Sequence, residues 1–150
     1  MADRLPQLEL ANQLCFALYS ASRASIRGYG PLLAELGLTY PQYLTMLVLW
    51  EATEPLTVGD IGARLHLDSG TLTPLLKRLE DVGLADRARD PEDERRVLIT
   101  LTETGQAMRA KAAGIPERVF PLYGIDVASA QRLIRDLTEI TNSLTHPRQG

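Results

Sequence analysis

The sequence has few of the residues from which enzymes and metal proteins build their sites. Its one cysteine, Cys15, excludes an internal disulfide and a cysteine-cluster metal site, and its two histidines, His66 and His146, lie eighty residues apart. The sequence contains no G-x-x-x-x-G-K-[ST], no G-x-G-x-x-G after a strand and no G-x-S-x-G. It therefore has no motif that would indicate a phosphate-loop protein or a serine hydrolase. We therefore expect no enzyme, no cofactor and no metal.

Long apolar runs and an excess of positive charge are also missing. The longest apolar stretch, 43–50, has eight residues including a threonine, whereas a membrane span needs roughly 20. The first nine residues show no signal-peptide pattern. Sixteen basic and nineteen acidic side chains give a net charge of −3, which taken alone argues against a polyanion partner. We expect a cytoplasmic protein without membrane contact, in which a nucleic-acid surface would depend on local charge.

The chain has the length of one domain and an ordinary globular composition, with 45% hydrophobic and 23% charged residues among 150. Apolar spacing and chain breakers predict four helices, a β-hairpin and two further helices. Pro74 is compatible with the fourth helix only near its first turn. The predicted elements are helices over 6–36, 39–55, 57–65 and from 69 or 71 to 83, strands over 84–89 and 97–102, and helices over 103–119 and 127–144.

The fourth predicted helix has a leucine side and an outer face of small, hydroxyl and basic residues. Such a face suits the major groove, because small residues let the backbone approach and hydroxyls and cations contact phosphates or base edges. Between 69 and 79 there are two basic residues and no acidic one, although 64–96 as a whole holds seven basic and eight acidic residues. The predicted DNA-reading residues are Ser69, Gly70, Thr71, Thr73, Pro74, Lys77 and Arg78.

The hairpin carries four arginines that form a second candidate DNA surface. Arg87 and Arg89 lie on the first strand, and Arg95 and Arg96 close the tip. An arginine on a thin hairpin can enter a minor groove, and we expect Asp93 to orient Arg95. The alternative is a solvated turn with weak surface ion pairs.

Cys15 is the only candidate for covalent chemistry. It is either a small buried hydrophobe or a reactive thiol, and the residues alone leave both open. No His or Lys is near it in sequence, but Tyr19 follows one turn later, and Tyr29 and Tyr40 lie around the next helix junction. Phenol hydroxyls can donate hydrogen bonds to a thiolate, whereas the alternative for these tyrosines is ordinary aromatic packing.

Two long motifs resemble a known family. LDSGTLTPLLKRLEDVGL (67–84) and DPEDERRVLITLTETG (90–105) resemble MarR-type winged-helix regulators. Together with NQLCFALYSASR near the start, they resemble the organic hydroperoxide resistance branch of that family. The resemblance covers nearly the whole chain. It implies a mainly α fold with a small β-hairpin wing and a single domain over 1–150, with 57–102 as the winged helix-turn-helix.

The apolar stripes of the first and last predicted helices would be left partly in water in a monomer, so we expect a two-fold homodimer. In the resembled family, helices corresponding to 5–36 and 103–145 form the dimer. The resemblance implies a repressor that binds operator DNA while Cys15 is reduced and releases it after oxidation by organic hydroperoxides.

The resemblance also assigns the sensor pocket. Tyr29 and Tyr40 would contact the partner's cysteine, and Tyr19 and Phe16 would line the pocket. Many members have a second cysteine near the last helix, but 123–127 lacks one, so this chain would be of the one-cysteine type, with a small cellular thiol capping oxidised Cys15. The alternatives are a repressor released by a small aromatic acid with Cys15 merely packed, a thiol peroxidase, and an architectural DNA binder.

Overall fold

The computed structural model describes residues 5–146, and within them the chain is mainly helical with one small antiparallel sheet. This architecture confirms the predicted fold class, a winged helix-turn-helix with a hairpin wing. The elements are α1 (Leu14–Ala34), α2 (Tyr40–Glu51), β1 (Leu56–Thr57), α3 (Val58–Leu65), α4 (Ser69–Asp81), β2 (Ala85–Arg89), β3 (Val97–Leu101), α5 (Glu103–Ala112), α6 (Ile115–Val119) and α7 (Val127–Thr145).

Capping residues set the start of the central helices α2, α3 and α4. Thr39 caps α2 in a box with Gln42, and Thr57 caps α3 in a box with Asp60. Asp68 caps α4 by accepting from the Thr71 backbone N–H at 2.8 Å, which places the helix start at Ser69. These side chains satisfy backbone donors that a helix start leaves open.

The prediction that the first helix begins at Pro6 is wrong. Two short 3-10 turns, Pro6–Leu8 and Leu10–Asn12, precede α1. The Asn12 side-chain amide donates to the Pro6 carbonyl at 2.8 Å, and the Gln13 amide donates to the Gln7 carbonyl at 2.9 Å. Such local bonds compete with the helical ladder, so α1 starts only at Leu14.

The helix predicted from 103 to 119 is also wrong in its extent, because α5 ends at Ala112 and a turn at Gly114 separates it from α6. A 3-10 turn over Phe120–Tyr123 follows. Strand β1 was not predicted at all. It has two residues, pairs with β3 through Leu56 and Ile99, and puts β3 in the middle of the sheet.

Pro74 is the sixth residue of α4, beyond the first turn to which the sequence analysis confined it. Proline lacks an N–H, so the Gly70 carbonyl loses its helical partner there. The helix nevertheless continues to Asp81, because its inner face is anchored by leucines that are 0% exposed, namely Leu72, Leu76 and Leu79. Gly83 follows the helix with φ 76°, the left-handed conformation that commonly ends a helix.

The core lies between α2, α3, α4 and the sheet, where Met46 and Ile61 are 0% exposed. The backbone of α5 enters this core at Gly105, whose carbonyl accepts a 2.9 Å hydrogen bond from Trp50 Nε1. By their contacts the residues form two compact units, one up to Ile115 and one from Pro116 that contains α7. Among the described helices, none is both long and apolar enough to cross a bilayer.

Candidate nucleic-acid interface and thiol site

The outer face of α4 is arranged as the sequence predicts. All seven predicted DNA-reading residues of this helix are exposed, and its leucine side faces the core. Asp68 also accepts from the Thr71 hydroxyl at 3.3 Å. The bonds from Thr71 hold the pKa of Asp68 below its usual value, so this carboxylate stays ionised at the start of the helix.

The turn between α3 and α4 fixes how α4 is presented. His66 adopts a left-handed conformation with φ 54°, which is uncommon for a residue with a side chain. The following Leu67 packs its carbonyl so close to Gly62 that a Cβ there would lie 2.6 Å from the carbonyl oxygen. A glycine at 62 therefore allows this tight turn between the two helices.

At the wing tip, Arg95 and Asp93 adopt the predicted arrangement. The Arg95 backbone N–H donates to Asp93 Oδ1 at 3.1 Å, and Arg95 Nε lies 3.5 Å from the same oxygen. The Arg95 side chain is 94% exposed. The wing thus presents one oriented cation at its tip.

Two of the other hairpin arginines have partners inside the chain. Arg87 Nε lies 2.8 Å from Glu80 Oε2, which ties strand β2 to α4. Arg89 Nη1 donates to the Glu94 carbonyl at 2.7 Å and bridges the base of the wing loop. Both were predicted to contact DNA, and that assignment stays a prediction, but their contacts in the chain brace the wing.

Arg96 also stabilises the wing loop from within the chain. Its Nη1 lies 3.4 Å from Asp90 Oδ2, and the Asp90 side chain is only 10% exposed. Asp90 also accepts from the Glu92 backbone N–H at 2.9 Å, so this carboxylate organises both ends of the loop. The positive charge of Arg96 also contributes to lowering the pKa of Asp60, after the larger effect of its hydrogen bonds from Thr57. No local signal in the sequence predicts this bracing role.

Cys15 is the second residue of α1 and is exposed in the chain. The alternative of a small buried hydrophobe is thus not met within one chain. Gln13 makes no side-chain cap bond, so the first backbone N–H groups of α1 have no side-chain acceptor from the N-cap residue. This position was not predicted, because the apolar pattern placed Cys15 inside a longer helix.

Tyr19, one turn after Cys15, is held by a cation. The Arg23 Nη1 lies 3.2 Å from the Tyr19 hydroxyl, and the guanidinium carbon lies 5.3 Å from the ring centroid. Tyr19 is 57% exposed and Phe16 is 41% exposed. Cys15, Phe16 and Tyr19 are therefore accessible together at the start of α1.

Tyr29 and Tyr40 lie together, with ring centroids 5.0 Å apart. Tyr43, which was not predicted, completes the group at 5.8 Å from Tyr29 and 6.4 Å from Tyr40. Burial, and next to it the charge of Tyr40, raises the pKa of Tyr43 and keeps this phenol neutral. Tyr29 is fourteen residues beyond Cys15 on α1, about 21 Å along the helix axis, so it does not reach Cys15 of the same chain.

Comparisons with known proteins find transcriptional regulators. A model of the family described as transcriptional regulator SarA/Rot matches residues 27–111. The chain is 52% identical over 122 residues to the organic hydroperoxide resistance transcriptional regulator of Bacillus subtilis, covering 81% of this chain and 82% of that one. It is 50% identical to the HTH-type transcriptional regulator TtmR of Methylorubrum extorquens, covering 94% of this chain and 71% of that one.

Among solved structures, the chain is similar to AbfR of Staphylococcus epidermidis. The structure of reduced AbfR bound to DNA is 38% identical, with a TM-score of 0.76, and covers 94% of this chain and 98% of AbfR. Other structures of AbfR are described as overoxidised and bound to DNA, and as disulfide-formed.

Proposed function

Because the chain belongs to the MarR-type family of winged-helix transcriptional regulators, we propose that it is a homodimeric repressor that senses organic hydroperoxides through Cys15. The reduced protein binds operator DNA, and oxidation of Cys15 releases it. The relatives and the fold are those of regulators and not of enzymes.

The outer face of α4 and the wing tip form the DNA surface in this proposal. Ser69, Gly70, Thr71, Thr73, Pro74, Lys77 and Arg78 are exposed on one helix face, as a major-groove helix requires. Arg95 reaches from the wing towards the minor groove, oriented by Asp93. In a dimer the two α4 helices would occupy major grooves about one turn, roughly 34 Å, apart on a palindromic operator.

The observation that carries the redox assignment is the position of Cys15 at the uncapped start of α1. A thiolate is the nucleophilic form of cysteine, and the exposure of Cys15 leaves it open to a hydroperoxide. The thiolate attacks one oxygen of the hydroperoxide, the O–O bond breaks, and the alcohol leaves after taking up a proton. The product on Cys15 is a sulfenic acid.

The sulfenic acid cannot condense with a second thiol of the same chain, because the sequence has no other cysteine. A small cellular thiol attacks the sulfenic sulfur instead, a disulfide bond forms and water leaves. The exposure of Cys15 in the chain leaves room for such a thiol. Exposed apolar side chains beside it, Leu14 and Phe16, favour hydroperoxides with an apolar tail, because each buried methylene contributes about 0.8 kcal/mol.

The free energy that release from DNA requires favours the bulky mixed disulfide as the form that releases DNA. A near-complete change of state needs about 5.5 kcal/mol, whereas burying one unpaired polar group supplies about 1–3 kcal/mol. The description of overoxidised AbfR as bound to DNA agrees with the same view, because overoxidation adds oxygen without bulk. We expect Tyr29 and Tyr40 of one subunit to hold the Cys15 of the other in the reduced dimer.

A gel-shift with the DNA upstream of the protein's own gene tests the proposal. Cumene hydroperoxide plus a small thiol is expected to release the wild-type protein, and intact mass should show a single thiol adduct on Cys15. Cys15→Ser should bind the same DNA with unchanged affinity and stay bound, because serine cannot form the disulfide.

The control is a variant in which the single thiol is moved to another position on α1. Cys15→Ser/Ser22→Cys places a single exposed cysteine two turns further along α1, away from the helix start, and should remain insensitive. Release of Cys15→Ser by the peroxide would contradict the sensing role of Cys15. Release of the wild type by salicylate with no mass change would favour the repressor of aromatic acids instead.

A further inference from the structure

Glu80 is an acidic side chain in the last turn of α4, the helix whose outer face forms the DNA surface in the proposed function. Two effects disfavour a negative charge at this place. The C-terminal end of a helix carries the negative end of its dipole, and the phosphates of a bound duplex repel a carboxylate. A contact inside the chain offsets both effects.

The partner of Glu80 is Arg87, in the middle of strand β2. Arg87 Nε donates to Glu80 Oε2 at 2.8 Å, and the two side chains are only 28% and 37% exposed. Partial burial makes such a charge-assisted hydrogen bond stronger than an ion pair in open water. The pair is therefore more than a solvated surface contact.

The position of Arg87 in the sheet gives Glu80 a fixed point to bind. Side chains two residues apart lie on the same face of a strand, and Ala85, on the face of Arg87, is 1% exposed. Arg87 thus lies on the inner face of β2. Its backbone is opposite Ile99 of the central strand β3, and Ile99 is itself 1% exposed.

The pair is a second attachment between α4 and the wing. The first attachment is the turn at Gly83, where the Leu84 backbone N–H donates to the Leu79 carbonyl at 2.9 Å. A hairpin that is attached at one point can change its angle to the helix. A second bond three residues further on, about 10 Å along the strand, fixes that angle.

We infer that Glu80 is a positioning residue for operator binding. Its bond to Arg87 holds the wing at the angle to α4 at which α4 lies in the major groove while Arg95 reaches the minor groove. Arg87 then acts through Glu80 and not through a phosphate. The inference rests on the DNA surface of the proposed function and not on the chemistry of Cys15.

The test uses the sign of the effect, because electrostatics alone and the inferred role predict opposite changes. Removal of a carboxylate next to a polyanion tightens binding. Glu80→Ala should instead weaken binding about three- to tenfold, as expected for the loss of one charge-assisted hydrogen bond. Fluorescence anisotropy of the reduced full-length protein with a labelled duplex from upstream of its own gene measures the affinity, and circular dichroism monitors the fold.

Asp81→Ala is the matched control, because it removes the neighbouring exposed carboxylate of the same helix. It should leave the affinity unchanged or raise it up to about threefold. Arg87→Ala should match Glu80→Ala in affinity and in salt dependence. A phosphate contact by Arg87 would instead lower the slope of log affinity against log salt by about 0.9 in Arg87→Ala alone.

Two double variants separate positioning of the wing from a general loss of stability. In an Arg95→Ala protein, Glu80→Ala should cost less than about twofold in affinity, because the contact that Glu80 positions is already absent. The reversed pair Glu80→Arg/Arg87→Glu should bind within about threefold of wild type, because it restores an attraction at the same place.

Binding by Glu80→Ala as tight as by Asp81→Ala would overturn the inference, and so would an equal loss with and without Arg95. A reversed pair that binds no better than Glu80→Ala would also overturn it. If the variants follow the expected pattern but cumene hydroperoxide plus a small thiol leaves the wild-type complex intact, the proposed redox function fails and the role of Glu80 stands. If the peroxide releases the wild type and Glu80→Ala binds as tightly as wild type, only the role of Glu80 fails.

Discussion

The winged helix-turn-helix region, 57–102, and the first half of α1 differ in how their apolar side chains are covered. In the winged region Ile61, Leu72, Leu76 and Leu79 are 0% exposed and Ile99 is 1% exposed. In the first half of α1 the large side chains lie open, with Leu14 at 65%, Phe16 at 41% and Tyr19 at 57%, and Ile26, just beyond it, is 42% exposed. One chain therefore completes the core of its winged region but leaves its thiol end uncovered.

This difference assigns separate physical tasks to the two regions. A surface that reads DNA must be rigid, and the winged region obtains rigidity from its own core, helix caps and wing ion pairs. Exposed apolar side chains in a row mark a surface for association, and a second copy of α1 would cover them in the proposed dimer. The environment of Cys15 would then depend on the partner, and a bulky adduct on Cys15 would act on the dimer contact.

The largest expected effect is a loss of folding from Gly105→Ala, which attacks the self-contained region. A Cβ at 105 would lie 2.0 Å from the Leu84 carbonyl oxygen. The Leu84 carbonyl accepts from the Thr102 backbone N–H and the Gly105 carbonyl accepts from Trp50, so a shift of either backbone disturbs a hydrogen bond. We expect a loss of about 3 kcal/mol or more in the free energy of unfolding. Urea unfolding at one fixed protein concentration measures it.

Gly114→Ala is the matched control for this substitution. A Cβ at 114 has no heavy atom within 4 Å among the described neighbours, and the variant should be neutral or more stable by about 0.5 kcal/mol. A Gly105→Ala protein with stability within about 1 kcal/mol of wild type would show that the α5 contact with the wing base is loose.

The next effect concerns the exposed region. Ile26→Glu puts a charge on the open face of α1 and should leave the monomer folded, because the side chain is not in the core of the chain. Burial of that carboxylate against a second copy is costly, so we expect the dimer dissociation constant to rise about 100-fold, or about 2.7 kcal/mol. Sedimentation equilibrium measures this constant.

Val82→Glu provides the comparison, since Val82 is 61% exposed but lies after α4, outside the terminal helices. It should leave the dimer unchanged. If both variants stay dimeric at the same concentrations as wild type, the open face of α1 is not the dimer contact.

The parts of the fold that sequence analysis predicted are those with local signals. Helices α2 and α3 start at capping boxes only four residues long, and the apolar pattern of α4 matches its buried side. The wing follows from alternation in Val97–Leu101 and a polar loop. Each of these signals depends on neighbours in sequence.

The features that the sequence did not predict depend on non-local contacts or on hydrogen bonds that compete with the helix. Amide side chains of Asn12 and Gln13 bond to backbone before α1, and this competition does not show in an apolar pattern. Strand β1 has two residues and exists only because β3 pairs with it. At the site, the packing of Tyr43 on Tyr29 and Tyr40 joins two helices, so spacing along one helix could not reveal it.

The smallest effect distinguishes two adjacent arginines within the wing. Arg95→Ala should leave the free energy of unfolding within about 0.5 kcal/mol of wild type, because the side chain is 94% exposed and its ion pair with Asp93 is weak. Operator affinity should fall about tenfold at fixed salt, or about 1.4 kcal/mol, if Arg95 enters the minor groove. Fluorescence anisotropy with labelled operator measures the affinity.

Arg96→Ala should instead lower the stability of the protein more clearly than its operator affinity. It removes the cation next to Asp90, whose side chain is only 10% exposed, and should cost about 1 kcal/mol of stability. Its effect on operator affinity should be smaller than that of Arg95→Ala, since it acts only through the shape of the wing. Equal losses of affinity with unchanged stability in both variants would mean that the two arginines contact DNA alike, and that the division between a reading tip and a bracing base of the wing is wrong.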